Sequence, residues 1–296
     1  MITRPDVEAA AARIAPYIRR TPVVQITPGQ LWKLEFLQHS GSFKTRGATN
    51  RLLAADLPPA GVIAASGGNH GLAVAHAAAR LGVPAEVFVP ETTPASKLSA
   101  LAGYGVTVVR HGAEYAEAYT AALARSTVSG ALFCHAYDQP DVVAGQGTVG
   151  LELPEVDTVI VAVGGGGLMS GIAAAVEGRA RVVGVEPVGI PTLHEALAAG
   201  GPVDVPVSGV AADSLGARRL GSIAYDVAVR TGVRGVLVSD DDIVAARRWI
   251  WDTARLVVEH AAAAAVAALR TGAYVPAPGE RVAVILCGAN TDPSSA

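Results

Sequence analysis

Lysine is the scarce cation of this chain. Lys33, Lys44 and Lys97 stand against twenty arginines, so a lysine marks a place where arginine does not serve. An amine can lose its proton and form an imine; a guanidinium cannot. Lys44 lies in His39-Ser40-Gly41-Ser42-Phe43-Lys44-Thr45-Arg46-Gly47-Ala48, between a predicted strand (31–37) and a predicted helix (45–55). At a helix start the backbone dipole favours the neutral, nucleophilic amine. A solvated lysine at a helix start is the ordinary alternative.

Three further segments carry unusual chemistry. Ala65-Ser66-Gly67-Gly68-Asn69-His70-Gly71 joins a predicted strand to a predicted helix. Its glycines let backbone N–H groups approach a ligand, and the helix start suits a carboxylate. Asn69 either caps the helix or offers its amide to a ligand hydroxyl. Val163-Gly164-Gly165-Gly166-Gly167-Leu168-Met169-Ser170-Gly171 follows the most apolar strand. Four glycines cost chain entropy and pack nothing, so a backbone cradle for phosphate accounts for them best. The run is neither a P-loop nor a dinucleotide fingerprint. Gly145, Gly147 and Gly150 do spell GxGxxG, but turn chemistry rather than a strand precedes them, and a helix is expected there. Cys287, in Ile285-Leu286-Cys287-Gly288-Ala289-Asn290, is either a small buried hydrophobe or a neutral partner for a heterocycle nitrogen.

These segments need a scaffold that brings strand ends together. Strand-like runs (61–65, 85–89, 106–110, 131–135, 158–163, 181–185, 235–238, 282–287) alternate with helix-like runs (69–81, 96–103, 114–126, 168–177, 192–199, 219–231, 241–254, 257–270). That alternation predicts an α/β fold with parallel sheets covered on both faces, and ligands just past the strand C-termini. At 296 residues, 51% hydrophobic and 17% charged, the chain has room for about two domains. A net charge of −3 gives no sign of an electrostatic nucleic-acid or membrane-surface binder. The longest strictly apolar stretch, 261–269, falls short of the ~20 residues a bilayer requires. Met1 to Asp6 carry no visible signal peptide, and two cysteines make no disulfide framework. A cytoplasmic location is expected.

A phosphate cradle, a distinctive lysine, an amide and a neutral group at strand ends together describe a site for pyridoxal 5′-phosphate. The chain resembles the threonine/serine dehydratases of the tryptophan-synthase-β-like fold, fold type II of the pyridoxal-phosphate enzymes. The resemblance runs from about residue 20 to 290. It is carried by Ser42 to Ala48, Ser66 to His70, Gly145-Gln146-Gly147-Thr148, Gly164 to Leu168, Gly184-Val185-Glu186-Pro187 and Cys287 to Asn290. It implies that Lys44 holds the cofactor covalently and then acts as catalytic base, with Phe43 against the ring. It implies that Asn69 binds the ring hydroxyl, that Gly164, Gly165, Gly166, Gly167 and Leu168 hold the phosphate, and that Cys287 faces the ring nitrogen. Ser66, Gly67, Gly68, Asn69 and His70 would bind the substrate carboxylate. The implied architecture is two open parallel-sheet domains, a large one (1–54 and 140–296) and a small mobile one inserted (55–139), in a homodimer.

The activity implied is β-elimination from L-serine, L-threonine or a related β-hydroxy amino acid. A racemase or a cysteine-synthase-like β-replacement enzyme is the alternative within the fold, and a non-catalytic nucleotide-binding α/β protein the alternative outside it. Racemases of the family carry a proton-bearing serine where this chain has Gly67, so little racemisation is expected. Relatives that bind a divalent cation use an acid where this chain has Thr192, six residues after Glu186, so no metal is expected. Ser214 stands where many relatives have glycine, and His260 where proline is usual. With six residues after Asn290, the regulatory domain of feedback-controlled enzymes is not expected.

Overall fold

The computed structural model describes residues 1–295. Ten strands form two sheets: β1 (Val23–Thr27), β2 (Gln30–Lys33), β3 (Val62–Ala65), β4 (Ala85–Val89), β5 (Thr107–Arg110), β6 (Leu132–Phe133), β7 (Thr158–Ala162), β8 (Arg181–Pro187), β9 (Arg234–Val238) and β10 (Val282–Ile285). The helices are α1 (Arg4–Ile14), α2 (Lys44–Leu53), α3 (Asn69–Leu81), α4 (Ala95–Ala102), α5 (Tyr115–Ser129), α6 (Pro140–Leu151), α7 (Gly167–Val176), α8 (Thr192–Ala199), α9 (Ala212–Leu215), α10 (Ser222–Thr231), α11 (Asp240–Ala254) and α12 (His260–Arg270).

One sheet has the order β1-β2-β10-β7-β8-β9, the other β5-β4-β3-β6. β3, β7 and β10 are buried at every position, the pattern of parallel strands covered on both faces. Every pairing is parallel except β1 with β2. There the two residues Pro28 and Gly29 turn the chain into an antiparallel edge hairpin, with Gly29 at φ 77°.

The predicted strand at 31–37 stops at Lys33, and Glu35–Leu37 is a 3-10 turn. The reason is a buried carboxylate: Glu35 Oε2 accepts from Thr21, and Glu35 Oε1 pairs with Arg46 at 2.6 Å. The strand expected at 131–135 shortens to two residues. Gln139 accepts the His135 N–H and donates to the Phe133 carbonyl, turning the chain by side-chain bonds. Residues 219–221 lie outside α10 because Asp138, far away in sequence, accepts the Ser222 and Ile223 N–H groups and caps that helix. The helix expected from 257 begins at His260, with Glu259 as its N-cap residue.

The GxGxxG of Gly145, Gly147 and Gly150 lies inside α6, as helix–helix packing. A Cβ on Gly145 would sit 2.7 Å from the Arg46 carbonyl oxygen of α2, one on Gly147 2.6 Å from the Gly171 carbonyl oxygen of α7, and one on Gly150 2.9 Å from Ala175 Cβ. The helices therefore meet almost backbone to backbone.

Candidate active site

Five segments converge past the C-terminal ends of β2, β3, β6, β7 and β10. The loop before Lys44 is pinned to the chain leaving β10. Phe43 N donates to the Cys287 carbonyl and Ala289 N to the Gly41 carbonyl, each at 3.0 Å, and Ser42 bridges Gly288. Asn290 Nδ2 donates to the Ser40 carbonyl at 2.7 Å, where Ser40 takes a left-handed φ of 57°.

Lys44 opens α2. Its Nζ donates to the Ala136 carbonyl at 2.7 Å and lies 5.1 Å from the centre of the Phe43 ring. Burial pulls its pKa down to about 8, against the opposing pull of Cys134, Cys287 and Glu259. A free amine therefore becomes available near neutral pH.

The base of α2 is fixed by buried ion pairs. Arg46 binds Glu35 and Glu152, each at 2.6 Å, and Lys33 binds Glu152 at 2.5 Å and the Thr21 carbonyl at 2.7 Å. Lys33, Glu35 and Arg46 are fully buried. Lys33 is thus a structural lysine, and its scarcity signals packing rather than chemistry.

On the facing side, β3 runs through Ser66 to Gly68 into α3. No side chain caps α3, so the N–H groups of its first turn are left for an anion. Asn69 is not the cap. Its Nδ2 donates to Glu259 Oε1 at 2.7 Å and its Oδ1 accepts from Asn290 at 2.6 Å. His70 is buried, its Nε2 bonded to the Cys134 carbonyl at 2.8 Å. Burial, with Lys44 adding to it, drives the His70 pKa to about 3, so the ring is neutral.

The four glycines after β7 form a turn with no room for side chains. A Cβ on Gly164 would lie 3.0 Å from the Leu215 carbonyl oxygen, on Gly165 2.3 Å from the Tyr137 ring, on Gly166 2.6 Å from Ala224, and on Gly167 2.9 Å from the Tyr137 carbonyl oxygen. Gly166 sits at φ 83° and no side chain caps α7. Leu168 is buried behind this turn. The outcome is an uncapped, side-chain-free helix start, which suits a phosphate. With the enclosed amine of Lys44 and a buried Cys287 thiol, the residues present fit pyridoxal phosphate. Burial, then Glu259, pushes the Cys287 thiol pKa up, so the sulfur is neutral.

The sequence reading missed two residues that the structure brings here. Glu259 is buried, and a Cβ on Gly288 would lie 2.0 Å from its Oε1. Burial pushes its carboxyl up to about 7, opposed by the Asn69 amide and reinforced by Asp213. A lone acid two residues before the alanine run 261–265 was the available signal. Tyr137, on the turn between β6 and α6, lies against Gly165; nothing local marks it.

Glu186 turns inward, accepting from Leu193 N at 2.6 Å, His194 N at 2.9 Å and Thr192 Oγ1 at 3.0 Å, while Thr192 also reaches the Gly164 carbonyl at 2.5 Å. Ser214 lies in the short helix α9, its hydroxyl turned back on the Ala211 carbonyl.

Comparison with known proteins places this arrangement. A family described as pyridoxal-phosphate dependent enzyme matches residues 14–288. The chain is 40% identical to phenylserine dehydratase of Ralstonia pickettii, over 98% of this chain and 94% of that protein. It is 35% identical to L-threonine ammonia-lyase of Thermotoga maritima, over 99% of this chain and 76% of the relative. The structure of maize serine racemase superposes with a TM-score of 0.92 at 32% identity, covering 98% of this chain and 94% of that one.

Proposed function

The chain belongs to the family of pyridoxal-phosphate-dependent enzymes, in its threonine/serine dehydratase group of fold type II, and from that premise we propose that it eliminates water from a β-hydroxy amino acid, giving a 2-keto acid and ammonia. It is a pyridoxal-phosphate-dependent ammonia-lyase. The observation that carries the reading is the pairing of an enclosed amine, Lys44, with two uncapped helix starts, at Gly166–Gly167 and at Gly68–Asn69.

In this reading Lys44 would attach the cofactor, Phe43 would lie on its ring side, and the Asn69 amide would be available to its hydroxyl. The N–H groups from Gly164 to Leu168 would hold the phosphate, and Cys287 would stand toward the ring nitrogen. When bound, the cofactor withdraws electrons from the bonds at the substrate Cα. Lys44 Nζ, as a free amine, would be the base that holds the proton taken from the substrate Cα. The substrate carboxylate rests on the Ser66, Gly67, Gly68, Asn69 and His70 loop. His70 contributes its backbone there, since its ring is engaged by Cys134. A neutral Cys287 has no charge with which to keep a ring nitrogen protonated, which favours prompt loss of the β-hydroxyl. The remaining enamine takes up water and releases ammonia.

Gly67 has no proton to deliver from the opposite face, so elimination outruns racemisation. We assign residues 55–139 as a mobile unit over residues 1–54 and 140–296, and the enzyme as a cytoplasmic homodimer acting on a small amino-acid substrate. Among the described residues no helix is long and apolar enough to cross a membrane.

The test is a panel of L-serine, L-threonine, 3-hydroxyaspartate and phenylserine, read as ammonia and keto acid, with borohydride trapping to locate the cofactor. The expected label is on Lys44, and Lys44→Ala should lose both label and turnover. D-serine formed as fast as ammonia would replace this reading with racemisation.

A further inference from the structure

Asn69 belongs to a chain of polar side chains whose direction is set by the backbone. The Ser40 carbonyl can only accept, so the Asn290 atom 2.7 Å from it is the amide nitrogen. The same nitrogen also donates to Asn69 Oδ1 at 2.6 Å. Asn69 therefore turns its own nitrogen the other way, to Glu259 Oε1 at 2.7 Å. That contact uses one of the two hydrogens on Asn69 Nδ2 and leaves the other for a ligand. Three segments supply the chain: Asn69 opens α3, Asn290 follows β10, and Glu259 precedes α12.

Glycines make room for it. A Cβ on Gly288 would lie 2.0 Å from Glu259 Oε1 and 3.4 Å from Asn69 Nδ2, and one on Gly41 2.4 Å from Asn290 Oδ1. Glu259 is 5% exposed, and its backbone N–H is tied to the Gly288 carbonyl at 3.1 Å. Burying an acid is unfavourable, and a leucine would pack before the alanines of α12 without that penalty. The charged and titratable groups around its carboxyl are Lys44 of α2, Lys97 of α4, Asp213 of α9 and the Cys287 thiol. Among the described residues, the side chain it hydrogen-bonds is Asn69. The buried acid thus spends its contact on the amide assigned to the cofactor's ring hydroxyl.

We propose that Glu259 is a positioning residue: together with Asn290 it locks the Asn69 amide so that an N–H, and not the carbonyl, is offered to the ring oxygen of pyridoxal phosphate. The inference rests on the cofactor assignment and deepens it. A fixed donor favours the ionised ring oxygen. An amide free to turn over would offer its own oxygen part of the time and favour the protonated form. The two forms differ in colour, the ionised oxygen giving the longer-wavelength absorption band. Glu259 acts through Asn69 and touches no reacting atom.

The experiment records absorbance spectra of the holoenzyme for wild type, Glu259→Leu, Glu259→Gln and Asn290→Ala, with melting curves in parallel. Glu259→Leu should move the ratio of the two bands about tenfold toward the protonated form, the weight of one hydrogen bond to a charged group. Glu259→Gln, which still accepts from Asn69, should keep most of the longer-wavelength band. Asn290 is exposed, so Asn290→Ala loosens the other end of the chain without opening the core, and should move the ratio in the same direction. If Glu259→Leu melts earlier but keeps the wild-type spectrum, Glu259 is only a latch between segments and the proposal fails. It fails equally if Glu259→Gln loses the band as fully as Glu259→Leu. Should Glu259→Leu not fold, an unmoved ratio in Asn290→Ala overturns the proposal. Wild-type protein that retains no coloured cofactor after gel filtration overturns the cofactor assignment as well.

Discussion

At the scale of single residues, the site is governed by how burial redistributes protons. Lys44 is brought toward its free amine, Cys287 is kept a thiol and His70 is kept uncharged, each mainly by loss of water. Glu259 is the carboxyl whose behaviour gives a direct check. Its folded pKa is raised from 4.5 to about 7, so the native protein keeps a proton that the unfolded chain releases. That contribution to stability is fully present below pH 4.5 and lost as pH rises through 7. Glu259→Gln, which imitates the protonated acid and still accepts from Asn69, is expected to flatten the decline in Tm between pH 5 and pH 8. An unchanged slope in holoenzyme melting curves would show that this carboxyl is not buried as described.

Elements matter through their ends. At the start of α7, Gly166→Ala adds a left-handed strain of about 1–2 kcal/mol and a clash with Ala224. It should weaken cofactor binding at least tenfold in a spectrophotometric titration. Gly178→Ala, which has a similar φ of 75° but open space around it, should cost stability and leave cofactor affinity alone. At the base of α2, Arg46→Met strands Glu35 as an unpaired buried charge, so a loss of about 3–5 kcal/mol is expected in denaturant melts. Adding Glu35→Gln to Arg46→Met should recover part of it. These ends also show what the sequence discloses. Glycines at strand-to-helix junctions and the isolated Lys44 advertise the site, because backbone exposure and an odd residue choice are both local. Glu35 deceived the strand reading because its partner Arg46 lies a helix away. Glu259 escaped notice because its partner Asn69 lies 190 residues away in sequence.

Across the whole molecule, the smaller sheet packs on α2 and α6 through an apolar cluster that includes Leu52 and Val142, and polar contacts join the two sheets' sides at the site. Asn69, from the smaller sheet's side, binds Glu259 and Asn290 of the larger. If residues 55–139 move as proposed, amide hydrogen exchange around β3 to β6 should slow when L-alanine, which lacks a leaving group, is added to the holoenzyme, while β7 and β10 stay protected throughout. Equal protection of both sheets with and without the ligand would argue for a rigid body. The strand order and the antiparallel hairpin of β1 and β2 were not legible from periodicity, since alternation of apolar runs does not say which strands are neighbours. The glycines of α6 carry a lesson for anyone engineering this scaffold. Ordinary helix rules say that alanine at 145, 147 or 150 should strengthen that segment by about 1 kcal/mol each. With neighbouring main chains or side chains under 3 Å from each new methyl, such changes would instead wedge the layers apart, so thermostabilising libraries should spare this helix and draw on solvent-facing positions.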